Sequence, residues 1–376
     1  MQSRLLRLAE IQESRQVDAF LLTHLPTLRH LSGYFFNFES GPSPFHLLPG
    51  ALIAVPGLAA TLVVADSEGS QLSNVSPAIS VRQYASYVYQ RPLEFTKNFL
   101  AQIYDVFDQG GLGKCRVGVE PNSLPLNISQ SLHLRYPGIE FVDVSQEITG
   151  LRLIKDPDEI TLIRQAVRLC DVGQEAVQRF AQAGMTELEL FTLVRGAMET
   201  AAGKRIPLMA DLISGARTQE AGGSPCARQM ESGDMIISDL TPCLDGYWGD
   251  TCNTTVVGKP SSTQRATFQL VKEALEIGIT AVRPGVRAQA IDELMRVHLA
   301  SKGGYPHHGG HGIGVTYHEE PRIVPYSDIE LAPDMVIALE PGIYAGGEGL
   351  RLEHVLVVTS NGCELLSQFR HSLGQC

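Results

Sequence analysis

Positive charge is the scarcer kind in this chain, with 30 Lys and Arg against 41 Asp and Glu and a formal net charge of −11. A nucleic-acid partner asks for a basic footprint, so that class of function is set aside. A small cationic substrate and metal ions remain compatible with the charge. Long apolar runs are absent as well, and none is long enough to span a membrane. The opening residues, MQSRLLRLAEIQESRQ, are charged throughout and hold no apolar core of signal-peptide length. Paired cysteines are missing: seven are scattered at 115, 170, 226, 243, 252, 363 and 376 without a CxxC pair. That pattern fits reduced thiols and excludes a disulfide framework. A cytoplasmic protein without a membrane or nucleic-acid partner is the expectation. What is present is an ordinary globular balance, 44% hydrophobic and 19% charged. At 376 residues, two domains are expected rather than one core.

The first part reads as short β-branched strands alternating with helices. Strands are expected at Ala19–Leu25, Ala51–Pro56, Ala60–Ala65, Arg116–Glu120 and Ile139–Val144, and a helix over Leu5–Arg15. This is an α/β domain ending near Gln146. Its lone histidines, His24, His30 and His46, read as structural or surface residues. The segment LRLIKDPDEI then opens a long helix. Asp156 serves as N-cap, Pro157 takes the first helical position, and Glu159 completes a capping box. Gly184 is expected to end this helix, and Thr186 with Glu189 starts the next. A similar order recurs later. A helix begins at Ser262 and runs towards Val282, Pro284-Gly285 breaks it, and another helix follows to about Lys302. Each helix pair flanks a β-rich segment, which suggests two structurally similar halves.

Two of those β-rich segments carry paired carboxylates. MIISDLTPCLDGYWGDTCNTTVVG, from Met235 to Gly258, reads as a hairpin with Asp245-Gly246 as its turn signal. Centred between Leu244 and Asp245, it sets Asp239 opposite Asp250. MVIALEPGIYAGGEGLRLEHVLVV, from Met335 to Val358, turns at Gly346-Gly347 and sets Glu340 opposite Glu353. Pro341 and Gly342 must distort its first strand. Opposed like charges on apolar strands are destabilising, so protonation, an arginine or a metal must compensate. Arg351, two residues from Glu353 on the same strand face, is a candidate to screen part of that charge.

Between the hairpins lies HHGGHGIGVTYHEEP, His307 to Pro321. Glycines at 309, 310, 312 and 314 leave the backbone around His311 bare, which suits close approach to a ligand or tight packing. His307 and His318 sit where they could line the same cleft. Four carboxylates and one imidazole suit hard or borderline divalent cations, manganese first, with cobalt, zinc and iron also fitting. Two such ions at roughly 3.5–4 Å would activate a shared water and polarise a scissile carbonyl.

In this order, DLTPCLDGYWGD, GHGIG followed by HEEP, EPGIY and RLE resemble the pita-bread metallohydrolases: aminopeptidase P, prolidase, methionine aminopeptidase and creatinase. The resemblance is close over about residues 150–365 and weaker before that. It implies an α+β protein. A pita-bread catalytic domain with two similar αβ halves, residues 149–376, would follow a creatinase-like α/β domain, residues 1–148. It also implies roles. Asp239 would hold one metal ion, Asp250 and Glu353 would bridge two, and His311 and Glu340 would hold the second. Glu340 would double as general base, His307 and His318 would act in catalysis by contacting the substrate or stabilising the tetrahedral intermediate, and Arg351 would help to bind the substrate. Homodimers are expected from the same resemblance. Two departures stand out. Family peptidases carry a histidine in a segment like SG followed by ALPH, where this chain has Gly222. RIE is usually followed by Asp, where this chain has His354.

The leading expectation is therefore a dinuclear-metal hydrolase of a peptide C–N bond, most like an Xaa-Pro aminopeptidase or dipeptidase. The alternative on the same fold is a metal-dependent hydrolase or lyase of a small non-peptide substrate, an ectoine- or creatine-like amide. A third reading, a binding module that has lost its chemistry, is disfavoured by the intact ligand set.

Overall fold

The computed structural model describes residues 2–36, 50–86, 89, 90, 92 and 94–374, so His46 and Cys376 lie outside the described residues. The chain forms two compact units, Met1–Arg152 and Leu153–Cys376.

In the first unit, apolar strands are buried on both faces of one mixed sheet. Its strands are β1 (Ala19–Leu22), β2 (Ala51–Ala54), β3 (Thr61–Ala65), β4 (Ser80–Tyr84), β5 (Arg116–Val119) and β6 (Glu140–Asp143), in the order β4-β3-β2-β1-β5-β6. Strand alternation divides the core. Ala19 and Leu21 pack with Phe99, Ile103 and Ile128, from helices α3 (Phe95–Gln109) and α4 (Leu126–Arg135). Phe20 and Leu22 pack with Leu8, Leu28 and Ile148, from α1 (Gln2–Arg15), α2 (Leu25–Ser32) and α5 (Ser145–Leu151). The five strands expected from sequence are all present. The sixth, β4, was not read because SVRQY is an edge strand with mostly accessible side chains and so lacks an apolar face.

In the second unit, the same plan occurs twice. The first half has α6 (Pro157–Phe180), α7 (Glu187–Ala202), β7 (Leu208–Ser214), β8 (Met235–Leu244), β9 (Tyr247–Trp248) and β10 (Thr251–Val256), with a sheet ordered β10-β8-β7. The second half has α8 (Ser262–Ala281), α9 (Ala288–Leu299), β11 (Gly310–Gly312), β12 (Glu319–Ile323) and β13 (Val336–Leu339). It continues with β14 (Gly342–Ala345), β15 (Glu348–Arg351), β16 (His354–Val358) and β17 (Cys363–Leu365), and its main sheet is ordered β12-β11-β13-β16-β17. Capping boxes open α6 (Asp156/Glu159), α7 (Thr186/Glu189) and α8 (Ser261/Gln264). Helix α6 stops at Phe180, ahead of Gly184, because Ala181 turns to extended backbone.

Internal likeness extends to detail. In each half a glycine lets the long helix close on its partner. A side chain at Gly173 would collide with Met198 and Leu240, and one at Gly278 with Met295 and Leu339. Those leucines adjoin Asp239 and Glu340. A constant shift of 101 residues carries the bridge Thr186↔Gln229 onto Arg287↔Glu330, and carries Asp239 onto Glu340.

The first half is tied together by one buried amide. Gln174 of α6 donates from Nε2 to the carbonyls of Ser238 and Thr251, each at 2.9 Å, and accepts from Ser238 Oγ at 2.8 Å. Unmet buried polar groups cost about 1–3 kcal/mol each. Gln174→Leu should therefore lower unfolding stability by about 2–4 kcal/mol, read as a fall in denaturant midpoint. An unchanged midpoint would show that the amide is replaceable.

Candidate metal centre and its cleft

Strand β8 is long, apolar and flanked on both sides, and Asp239 interrupts it. The observed register is set by a two-residue turn at Asp245-Gly246, where both residues have positive φ, 50° and 83°. That is the geometry favoured for tight hairpins. Cys252 therefore opposes Asp239, and Asp250 does not, as the turn centred one step earlier had suggested. Asp250 lies beside Thr241 instead, and Thr241 Oγ1 donates to its Oδ1 at 3.0 Å. Asp239 and Asp250 are thus diagonal neighbours. They remain on one face because strand side chains alternate with period two.

The second hairpin keeps its expected register on both sides of the site. Gly342 pairs with Arg351 beyond it and Leu339 with His354 before it. Glu340 and Glu353 occupy the break between those ladders, at Pro341. There the Glu340 N–H donates to Gly309 O and the Glu353 N–H to Cys252 O, both at 2.9 Å. The last of these bonds links the two hairpins directly.

His311 comes from β11, which is wedged between β12 and β13. A side chain at Gly310 would collide with Ala338 O, and one at Gly312 with Glu320 O, so the bare backbone serves tight packing. Its Nδ1–H donates to Gly312 O at 2.9 Å, which leaves Nε2 as the acceptor facing the carboxylates. Nε2 lies 3.8 Å from Asp250 Oδ2, 3.6 Å from Glu340 Oε1 and 3.9 Å from Glu353 Oε1.

The five residues named from sequence are thus brought together. His311, Asp250, Glu340 and Glu353 are all buried. Burial pushes Asp239, Asp250 and Glu353 upwards. Arg351 partly counters this at Asp239, while neighbouring carboxylates add to it at Asp250 and Glu353. Burial would also raise Glu340, but the hydrogen bond from His308 and the imidazoles of His311 and His307 outweigh it and hold its carboxyl far below the usual range. Neither oxygen of Glu353 accepts a hydrogen bond from any described residue, although the side chain is sealed from solvent. Donor atoms of Asp250, His311 and Glu353 lie within 4.8 Å of one another. A buried carboxylate with both oxygens unmet, beside an imidazole acceptor and a second carboxylate, fits a divalent cation. His308, His311 and His318 form a second group of the same compactness.

Arg351 turns mainly to Asp239, with Nη2 at 2.5 Å from Oδ2, and less closely to Asp211, with Nη2 at 3.5 Å from Oδ2, and to Glu340, with Nε at 3.9 Å from Oε2. Its Nη1 also donates to Tyr344 OH at 3.0 Å and to Ala221 O. His307 stands behind Glu340. Its Nδ1–H donates to His308 O at 2.7 Å, and its Nε2 accepts from Tyr344 OH at 2.9 Å. Loss of water lowers its pKa to about 4. His318 is open to the cleft, with its ring 4.3 Å from that of His311. His354 points away from the site, to Ser367 Oγ at 2.7 Å and the ring of His371.

Three site residues were not read from sequence. His308 Nε2 lies 2.8 Å from Glu340 Oε1, and the His307-His308 doublet was its only signal. Tyr344 bridges Arg351 and His307. Asp211 of β7 directly opposes Asp239, and its signal was a carboxylate inside the strand LMADLIS. Asp211, Asp239, Thr241, Asp250, Tyr317 and His318 line a cavity of about 570 Å³.

Residues 161–360 match metallopeptidase family M24, and residues 4–154 match the creatinase/prolidase N-terminal domain. Among curated proteins, the chain is 28% identical over 377 residues to an Xaa-Pro dipeptidase of Pyrococcus horikoshii, covering 99% of each. It is 31% identical over 251 residues to an uncharacterised peptidase of Bacillus subtilis, covering 66% of this chain and 71% of that one. Among solved structures, a prolidase from Pyrococcus horikoshii superposes with a TM-score of 0.83 at 26% identity, over 99% of both chains. These likenesses bear out the pita-bread catalytic fold and the creatinase-like domain before it. The chain belongs to metallopeptidase family M24 and is a metal-dependent hydrolase.

Proposed function

We propose that the chain is a dinuclear-metal peptidase acting on Xaa-Pro bonds of small peptides. The observation that carries this reading is Glu353, buried with both oxygens unmet between Asp250 and His311. A carboxylate so placed is suited to bridging two cations. Asp239 would hold one ion, Asp250 and Glu353 both, and His311 and Glu340 the second. Manganese heads the candidates, because oxygen donors dominate the set. When bound, such a pair polarises the scissile carbonyl and activates a shared water.

The chain's own groups then divide the remaining work. Glu340, held ionised by His308, accepts the proton of the attacking water. His307, anchored on His308 O, orients Tyr344, which in turn receives Arg351 Nη1. Arg351 sets the position of Asp239. His318 faces the cleft and contacts the substrate beside the reacting carbonyl. Names of relatives support the substrate class, since Xaa-Pro dipeptidases recur among them. The acidic balance and six free cysteines among the described residues support a cytoplasmic setting. No helix among the described residues is long and apolar enough to cross a membrane. Sedimentation of the purified protein tests the homodimer that the family resemblance suggests.

A second reading, turnover of a small non-peptide amide, is favoured by one observation: Gly222 offers no side chain where related peptidases carry a histidine. Loss of one such donor typically costs about 10²–10³ in rate. The two readings separate on a substrate panel. A kcat/KM of about 10⁴ M⁻¹s⁻¹ or more on Xaa-Pro dipeptides or tripeptides, with manganese, cobalt or zinc, supports the peptidase. Values far below that, with turnover of a creatine- or ectoine-like amide, support the second.

Metal occupancy gives a further test. Manganese at a hundredfold over its Kd should stabilise the folded protein by about 2.7 kcal/mol, seen as a rise in Tm that a chelator reverses. Asp250→Ala should lose both that rise and all turnover, and full activity of this variant with chelator present would overturn the metal assignment. Glu340→Gln should keep some metal yet lose about 10²–10⁴ in rate. A change under about threefold with metal still bound would remove Glu340 as general base.

A further inference from the structure

We infer that Asp211 is a specificity-determining residue that selects substrates carrying a cationic group, typically an ammonium, next to the scissile bond. The inference deepens the hydrolase reading above and rests on it for the location of the reacting centre.

Asp211 and Asp239 are directly opposed across β7 and β8, so their side chains share the face that lines the cavity. Asp250, Glu340 and Glu353 are sealed, whereas the Asp211 side chain is 39% exposed. Its orientation is fixed from behind. Oδ1 accepts the N–H of Gly223 at 2.9 Å, and Oδ2 lies 3.5 Å from Arg351 Nη2. At that longer distance Asp211 is the weaker claimant on a guanidinium that already serves Asp239, Tyr344 and Ala221. Oδ2 therefore keeps acceptor capacity towards the cavity.

Gly222 completes the argument. Any side chain there would collide with Asp211 Oδ2, so glycine at 222 is what lets the carboxylate hold this position. The wall at this point thus presents an acceptor that cannot donate, where an imidazole would have presented a donor. Its neighbours around the cavity include Phe191, Met209 and Tyr317, and Arg195, the one guanidinium among the described lining residues, is engaged by Glu199 at 3.1 Å. A substrate group meeting this point is favoured if it donates and is positive, and repelled if it is an anion.

A structural role for Asp211, holding the 221–226 loop and steadying Arg351, would affect every substrate alike. Asp211→Asn separates the two, because the amide can still accept from Gly223 while the charge is gone. The full chain, loaded with manganese and with metal content measured alongside, is titrated calorimetrically with L-alaninamide and with its neutral counterpart N-acetyl-L-alaninamide. Wild type should bind alaninamide about tenfold or more tightly than the acetylated form, the scale of a hydrogen bond between charged groups. In Asp211→Asn that preference should fall below about threefold, through weaker alaninamide binding alone. In hydrolysis of Ala-Pro the variant should raise KM far more than it lowers kcat. No preference in wild type, or equal weakening of both probes in the variant, overturns the inference. If Ala-Pro is not turned over, the peptidase reading fails while the binding arm still decides the role of Asp211.

Discussion

Four carboxylates converge on the His311 imidazole in a water-poor core, and they cannot all carry charge there unaided. That single constraint organises the second unit. Taking a carboxylate out of water is expensive unless it is paired or bound to a cation, and here one guanidinium faces Asp239, Asp250, Glu340 and Glu353. Arg351 reaches Asp239 closely and Glu340 loosely. Glu353 is left with neither oxygen satisfied. Stability is being given up locally, as is usual where a site is built for a ligand rather than for folding. The surrounding scaffold bears it through ties such as Gln174, which fixes α6 to β8 and β10, and the Glu353 N–H bond to Cys252 O, which fixes one hairpin to the other.

The two halves share a frame but not a register of charge. The shift of 101 residues that carries Asp239 onto Glu340 also carries the turn Asp245-Gly246 onto Gly346-Gly347. It does not carry Asp250 onto Glu353. It carries Asp250 onto Arg351, and Cys252 onto Glu353. In the first hairpin the second carboxylate is diagonal to the first, and in the second hairpin it is directly opposed. The position left over in the second hairpin holds the only guanidinium that contacts the carboxylate set among the described residues. A near-symmetric fold thus presents an asymmetric donor arrangement, and the cation sits where the symmetry would otherwise have placed a fifth acid.

Legibility from sequence followed the same physics. The second hairpin was readable because two glycines mark its turn, and Pro341 broke the ladder only locally. The first was displaced because its turn was centred on Leu244 and Asp245, when Asp245-Gly246 itself forms the tight turn. That displacement moved the partner of Asp239 by two residues, and an even slip keeps every side chain on its face. The carboxylates therefore still converged. Strand β4 escaped notice because an edge strand with polar faces carries no apolar alternation, and the end of α6 was misplaced because Ala181 stops the helix without a glycine. Asp211 was invisible for a different reason: its importance depends on which strand lies beside β8, and nothing local in LMADLIS states that. Tyr344 and His308 likewise matter through contacts across the fold.

The strand pairings also say why Asp211 stands alone. Along β7 it opposes Asp239, and in the second half the residue in line to oppose Glu340 is Gly309, one step beyond the Gly310↔Leu339 pair. Two residues further along each strand come Ile213 in the first half and His311 in the second. Each half therefore places one functional side chain on the strand that flanks its first carboxylate strand, at different depths. The second half sets an imidazole deep, among the carboxylates, and has a buried glycine in line with Glu340. The first half leaves an apolar residue deep and sets a carboxylate at the mouth, against Gly222. An acid at the deep position would have joined four others without a cation of its own. At the mouth, part of its charge stays hydrated and part is shared with Arg351, so the cost of burial is small and the oxygen facing the cavity is left for whatever enters it.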